Sequence, residues 1–122
     1  MASILLAEDD QAMRSFLTKA LVKDGHDVTS CEDGAQAHAA LQADPTSFDL
    51  LLTDVVMPGM DGFELSQIAQ RLVPDIKIMY ITGFSGTAAE KPDPERAQYI
   101  KMMSKPFHLG DLVAQVNLLL EK

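Results

Sequence analysis

The sequence predicts an α/β fold, a doubly wound sheet of five parallel strands with helices on both faces. Three observations predict it. Short apolar runs alternate with longer segments whose apolar residues recur every three or four positions. Strand-helix alternation of this kind implies parallel βαβ units with right-handed crossovers. At 122 residues the chain has room for one sizeable core and not for two, so residues 1–122 are expected to form a single domain with no second domain attached.

Each element has its own signal. SILLA at residues 3–7, ended by Glu8, Asp9 and Asp10, suits a strand buried on both faces. Met13, Phe16, Leu17, Ala20 and Leu21 then recur at helical spacing, and Gly25 follows as a stop, which marks an amphipathic helix. HDVTSC at residues 26–31 is the second strand. Asp33, with Gln36 three residues on, has the form of a capping box and opens an Ala-rich helix that fades before Pro45. The third strand, residues 50–53, lies in DLLLTDVVMPGMDG and ends in a carboxylate, Asp54, ahead of a Pro58-Gly59 turn.

Phe63, Leu65, Ile68, Ala69 and Leu72 mark a third helix, and residues 76–82 (IKIMYIT) a fourth strand. In residues 83–96 (GFSGTAAEKPDPER), Pro92 and Pro94 exclude a regular helix through the middle. The fourth helix is therefore expected to be shortened or disordered, a loop or one short helix begun near Pro94. YIKMMS at 99–104 is the fifth strand, and Leu109, Leu112, Val113, Val116, Leu119 and Leu120 stripe the last helix.

Charge narrows the partners. Ten basic against eighteen acidic residues leave a net charge of −8, spread along the chain. Such a surface disfavours nucleic acid and anionic membranes and favours a cationic partner or a metal. No apolar run approaches the ~20 residues of a membrane span, and MASILLAEDD turns acidic too early for a signal peptide. The expected location is cytoplasmic. Cys31, the single cysteine, is expected to pack in its strand rather than to do chemistry.

In open α/β sheets, functional groups gather at the carboxyl ends of the strands. There the chain places Glu8, Asp9 and Asp10 after the first strand, Asp54 after the third, Thr82 after the fourth, and Lys105 followed by Pro106 after the fifth. Clustered acids at a sheet edge repel one another unless a cation neutralises them. One or two carboxylates plus a phosphate suit Mg2+, while a lysine and a threonine hydroxyl suit phosphate oxygens. The rim is built to hold a phosphoryl group on or near Asp54.

With EDD at 8–10, DVVMPGMDG at 54–62, the strand-end Thr82 and KPF at 105–107 in this order, the chain resembles a response-regulator receiver domain over essentially its whole length. Within the family the resemblance goes further, toward stand-alone receivers of the alphaproteobacterial CpdR type, through LLAEDD and the proline-bearing segment after the fourth strand. The resemblance implies the flavodoxin-like arrangement of the sheet and the absence of an output domain.

It also implies roles. Asp54 would be the phosphoacceptor. Asp9 would be the direct Mg2+ ligand of the acid pair and Glu8 would act through water; Asp10 follows the pair and leaves the register open as a further metal residue. The backbone carbonyl of Val56 would be another ligand, Thr82 the switch hydroxyl and Lys105 the phosphate-pairing lysine, with a cis bond between Lys105 and Pro106. A histidine kinase or histidine phosphotransfer protein would donate the phosphoryl group. The chain would catalyse its own phosphorylation and slow dephosphorylation and act as a switch rather than as a turnover enzyme. Output would pass through a downstream protein target, a protease in the form that the CpdR-type resemblance suggests.

Two departures from the family pattern bear on output. Met102 stands three positions before Lys105, where the family has an aromatic switch residue, and Tyr80 and Tyr99 are expected to be ordinary packing. The prolines alter the segment through which many receivers meet partners. Met57 and Met60 are expected to pack in the turn, His26, His38 and His108 to have surface or capping roles, and the charges of residues 90–96 to form a solvated loop. Gly83, directly after Thr82, would leave the site open to a donor.

Three other readings compete. A magnesium-dependent aspartyl phosphatase or phosphotransferase also uses a strand-end aspartate, but it needs a second acid two residues later, where this chain has Val56. A receiver-fold module that binds a partner without being phosphorylated is disfavoured by the intact Asp54, Thr82 and Lys105. Flavodoxin-type cofactor binding lacks a Ser/Thr/Gly-rich phosphate loop after the first strand.

Overall fold

The protein is described by a computed structural model covering residues 2–83 and 99–122. Strands β1 (Ser3–Ala7), β2 (Asp27–Cys31), β3 (Leu50–Asp54), β4 (Lys77–Thr82) and β5 (Ile100–Ser104) pair in parallel in the order β2-β1-β3-β4-β5. The helices are α1 (Gln11–Lys23), α2 (Gly34–Ala43), α3 (Gly62–Leu72) and the C-terminal α4 (Leu109–Leu120), with a short 3-10 turn at Pro45–Ser47. The segment 83–96, expected to be a loop or one short helix begun near Pro94, lies outside the described residues apart from Gly83.

Both faces of the central strands are covered, which is why their sequences are continuously apolar. Leu5 and Ala7 of β1 pack with Ala37 and Leu41 of α2 and Leu65 and Ala69 of α3. The alternate residues Ile4 and Leu6 pack with Leu17 and Leu21 of α1 and Leu112, Val116 and Leu119 of α4. Cys31 joins the first cluster, as does Met57, with Met60 packed against it. β2 and β5 are the sheet's edges and are correspondingly more exposed.

Caps set the helix ends. Asp10, Asp33 and Asp61 accept from the N–H groups of Met13, Gln36 and Glu64, and Gly25 follows α1 at φ +96. The box at Asp33 differs from its usual form by one residue. Gln36 Oε1 takes the Glu32 N–H at 3.0 Å, rather than that of Asp33.

Some apolar periodicity proves misleading. Phe16 is 57 % exposed on α1 and Leu72 40 % exposed on α3, although both sit at core spacing. On α3 the inward place belongs to Ser66, whose hydroxyl pairs with the Tyr80 hydroxyl. Tyr80 also meets Phe63 edge-on, centroids 5.0 Å apart, so it packs as expected.

His26 corrects the expectation of a surface or capping role. It is buried, its Nδ1 accepts the Ala2 N–H at 3.1 Å, and Nε2–H therefore donates to Asn117 Oδ1 at 2.9 Å. Asn117 passes the chain on to Asp24 Oδ2 at 2.7 Å. The imidazole thus ties the start of β1 and the end of α1 to α4. His26→Leu leaves the Ala2 N–H and Asn117 Oδ1 without their partner, and urea denaturation is expected to show a loss of about 2 kcal/mol; an unchanged midpoint would contradict the bridge.

Candidate functional site

In this strand order the sequence of connections reverses between β1 and β3, and the crevice opens at their carboxyl ends. Asp54 is the last residue of β3, where a fully buried strand emerges at the rim. Its neighbour across the ladder is Ile81, so Thr82 sits one step further along β4 and is itself paired with Ser104. The Lys105 N–H donates to the Thr82 carbonyl at 2.7 Å, which continues β5 past its end. The Lys105-Pro106 bond is cis, as the resemblance implied.

These strands bring the sequence-predicted residues together. Lys105 Nζ lies 3.1 Å from Asp54 Oδ2 and 3.2 Å from Glu8 Oε1. Carboxylate oxygens of Glu8, Asp9 and Asp54 lie within 4.8 Å of one another. Glu8 and Asp54 are buried and Asp9 is exposed. Val56 is the second residue of the loop leaving β3 and donates its N–H to Asp54 Oδ1 at 3.3 Å. Asp10 is placed differently: its carboxylate caps α1 through the Met13 N–H at 3.0 Å, and it is not one of the three clustered acids.

The turn below Asp54 depends on two glycines. Gly59 adopts φ +76, a conformation that L side chains rarely take. Gly62 lies against the strand end: a Cβ there would meet the Asp54 carbonyl oxygen at 2.2 Å, and its N–H donates to the Val55 carbonyl at 2.8 Å.

Burial shapes the electrostatics. Glu8 is pushed up from an ordinary 4.5 to about 7, chiefly by desolvation; the Asp10 N–H opposes the rise and the adjoining Asp54 carboxylate adds to it. For Lys105, burial alone would lower the value, but Asp54 and Glu8 outweigh it and hold the ammonium charged above its usual range. Among the described residues, Lys105 is the cation that meets the Glu8 and Asp54 carboxylates, and Asp9 adds a third acid at the surface, so acids outnumber the ammonium that meets them. Closely grouped hard oxygen donors with an uncompensated charge fit a hard divalent cation.

A family model described as the response regulator receiver domain matches residues 4–117. The chain belongs to this receiver family. Among curated relatives, this receiver is 52 % identical over 120 residues to the response regulator receiver protein CpdR of Brucella abortus (strain 2308), covering 98 % of each chain. It is also 33 % identical over 121 residues to the sensor kinase CckA of the same organism, where it spans 99 % of its own length and 13 % of the kinase. Among solved structures, the receiver domain of the hybrid histidine kinase CckA superposes with a TM-score of 0.82 at 28 % identity, covering 97 % of this receiver and 98 % of that chain. A response regulator receiver protein from Sinorhizobium medicae WSM419 gives 0.83 at 26 % identity, covering 98 % and 94 %.

Sequence reasoning missed two contributors to the receiver's site. Arg14 donates from Nη1 to the Glu8 carbonyl at 2.8 Å, and its place in the α1 pattern MRSFL carries no sign of that reach. Gly62 was visible as part of the MDG run, without its contact to Asp54.

Proposed function

We propose that the protein is a single-domain response regulator, phosphorylated on Asp54 by a histidine kinase or histidine phosphotransfer protein and switching its contacts with a downstream protein. The observation that carries this is the approach of Lys105 Nζ to Asp54 Oδ2, 3.1 Å, on a rim shared with Thr82 and two further acids. Relatedness to CpdR and to a sensor kinase's receiver region supports it.

An Asp54 oxygen would attack the phosphorus of phosphohistidine in line, forming an O–P bond as the N–P bond breaks and the imidazole leaves. Phosphoryl transfer of this type needs positioning and charge stabilisation more than covalent assistance. The ammonium of Lys105 is in place to pair with the incoming oxygens, and the Thr82 hydroxyl belongs to the same rim. Glu8, Asp9, Asp54 and the Val56 carbonyl would hold Mg2+, with Asp10 committed to its helix. Bound there, the ion would offset charge on the phosphoryl oxygens.

The aspartyl phosphate adds roughly one to two negative charges beside Lys105 and Thr82 and biases an equilibrium between two surface conformations. Output then passes through protein contacts, in the specific form of a protease adaptor suggested by the CpdR-type resemblance. Action in the cytoplasm is part of this reading; no helix among the described residues is long and apolar enough to cross a membrane. The protein works as a switch with slow self-catalysed dephosphorylation rather than as a turnover enzyme.

Intact-mass measurement with Mg2+ and acetyl phosphate tests the chemistry. Wild type is expected to gain one phosphoryl group and Asp54→Asn none. Equal gain by the mutant, or none by wild type, sinks the proposal. Comparing partner recovery with phosphorylated and unphosphorylated protein tests the switch, and identical recovery would count against it.

A further inference from the structure

Arg14 lies one turn inside α1, half-buried, and its side chain turns back to the strand that α1 follows. Its Nη1 donates to the backbone carbonyl of Glu8 at 2.8 Å. The β1–β2 ladder reaches Glu8 through its N–H, which donates to the Cys31 carbonyl at 3.1 Å. β2 ends at Cys31, and Asp33, whose N–H this parallel register would bring to the Glu8 carbonyl, is already the N-cap of α2. The guanidinium therefore stands where a further strand residue would have continued the pairing.

Arg14 is itself fixed. Its N–H donates to the Asp10 carbonyl at 2.8 Å, its carbonyl accepts from Thr18 Oγ1 at 2.7 Å, and Thr18 Oγ1 meets Ser30 Oγ on β2 at 2.7 Å. A continuous set of bonds runs from β2 through α1 to the end of β1.

The Glu8 carbonyl belongs to the same peptide plane as the Asp9 N–H. Holding that carbonyl fixes the plane, and with it the directions in which Glu8 and Asp9 leave the backbone. Glu8 has other anchors, in the Asp10 N–H at 3.1 Å and Lys105 at 3.2 Å, whereas Asp9 is exposed and takes its direction from the backbone. We infer that Arg14 is a positioning residue for the acid loop, aiming Asp9 at the cation site through the Glu8–Asp9 peptide. This rests on the reading of Glu8, Asp9 and Asp54 as Mg2+ ligands.

The sign of the effect separates positioning from simple charge. A guanidinium beside a divalent cation site repels the ion, so if charge were all that Arg14 contributed, removing it would tighten binding. Positioning requires the reverse. Isothermal titration of the full chain with MgCl2 is expected to show about tenfold weaker binding for Arg14→Met, the scale of losing an outer contact that orients a ligand. Arg14→Lys, still a donor but one atom shorter, is expected to fall between Met and wild type. Phosphorylation by acetyl phosphate should be slower in Arg14→Met at low Mg2+ and recover at saturating Mg2+, a split that general loosening of the fold would not produce.

Affinity in Arg14→Met equal to or tighter than wild type overturns the inference alone. Absence of Mg2+ binding by wild type overturns the metal reading and the inference with it. If Arg14→Met does not fold in EDTA, Arg14→Lys carries the test, and binding by that variant as tight as wild type overturns the inference.

Discussion

Gly62→Ala is expected to destabilise the protein by about 3 kcal/mol, the upper end of what overpacking costs, or roughly 150-fold in the folding equilibrium at 1.4 kcal/mol per tenfold. The added methyl would stand 2.2 Å from the Asp54 carbonyl oxygen and 3.0 Å from both the Asp54 carbonyl carbon and the Val55 Cα. All three atoms are backbone, so no side chain can swing aside. The Gly62 N–H is also bonded to the Val55 carbonyl, which pins the two segments at this point.

Relief must come from the end of β3, which carries Asp54, or from the loop that follows. A displacement of about 1 Å at a reacting group can cost on the order of a hundredfold in rate, and phosphoryl uptake from acetyl phosphate is expected to fall by that factor. Gly59→Ala serves as the control. Gly59 has φ +76 with nothing within 4 Å of its Cβ position, so alanine there costs only about 1–2 kcal/mol of backbone strain and leaves Asp54 in place. Urea denaturation and initial rates on both variants decide the matter: if Gly62→Ala is no more damaging than Gly59→Ala, the contact with Asp54 is not what keeps position 62 a glycine.

The difference between these two glycines shows where sequence reading reaches and where it stops. Strand ends were legible because burial on both faces demands unbroken apolar runs, so the acids that interrupt them at Glu8 and Asp54 stand out, and the strand order then carries them to one rim. Helix faces were less legible. Phe16 and Leu72 occupy core spacing yet face solvent, because periodicity marks a helix's apolar face without fixing how much of that face the sheet and its neighbours cover. Ser66 was invisible for the converse reason: a small polar residue goes inside when a buried hydroxyl, here Tyr80, needs a partner.

The same limit applies to His26, Arg14 and Asp10. A histidine's partners are 24 and 91 residues away in sequence, and no local pattern announces a contact of that range. For Arg14 the chain offers only a basic residue on an amphipathic helix, with no mark of the carbonyl it reaches. Asp10 was open only as a further metal residue on sequence grounds; the start of α1 claims it as a cap, since a helix N-terminus has N–H groups to satisfy.

Metal-free stability and Mg2+ affinity are expected to change in opposite directions with pH, and Glu8 is the group responsible. In the folded protein it titrates at about 7, against an ordinary 4.5. The folded state therefore holds a proton through the window between those values that the unfolded chain releases. Glu8's favourable contribution is fully present below about pH 4.5, declines as the unfolded chain ionises, and is lost once pH has risen through about 7. At 1.36 kcal/mol per unit, the decline is on the order of 3 kcal/mol.

Glu8→Gln keeps a neutral side chain throughout, so the difference between wild type and this variant in EDTA isolates the group from other titrations. Wild type should lose ground steadily to Glu8→Gln between pH 4.5 and 7 and then level off. Mg2+ acts in the reverse sense, because a cation bound by the cluster displaces the Glu8 proton. Affinity should be on its plateau near pH 8 and about tenfold weaker at pH 6, with close to one proton released per ion at the lower pH. Lys105, held charged above its usual range, contributes no titration of its own in this window. Urea denaturation in EDTA and calorimetric Mg2+ titration across pH 5 to 8 supply both curves. A wild-type to Glu8→Gln difference that stays constant with pH would show that burial has not shifted Glu8, and a pH-independent Mg2+ affinity would show that the ion does not compete with its proton.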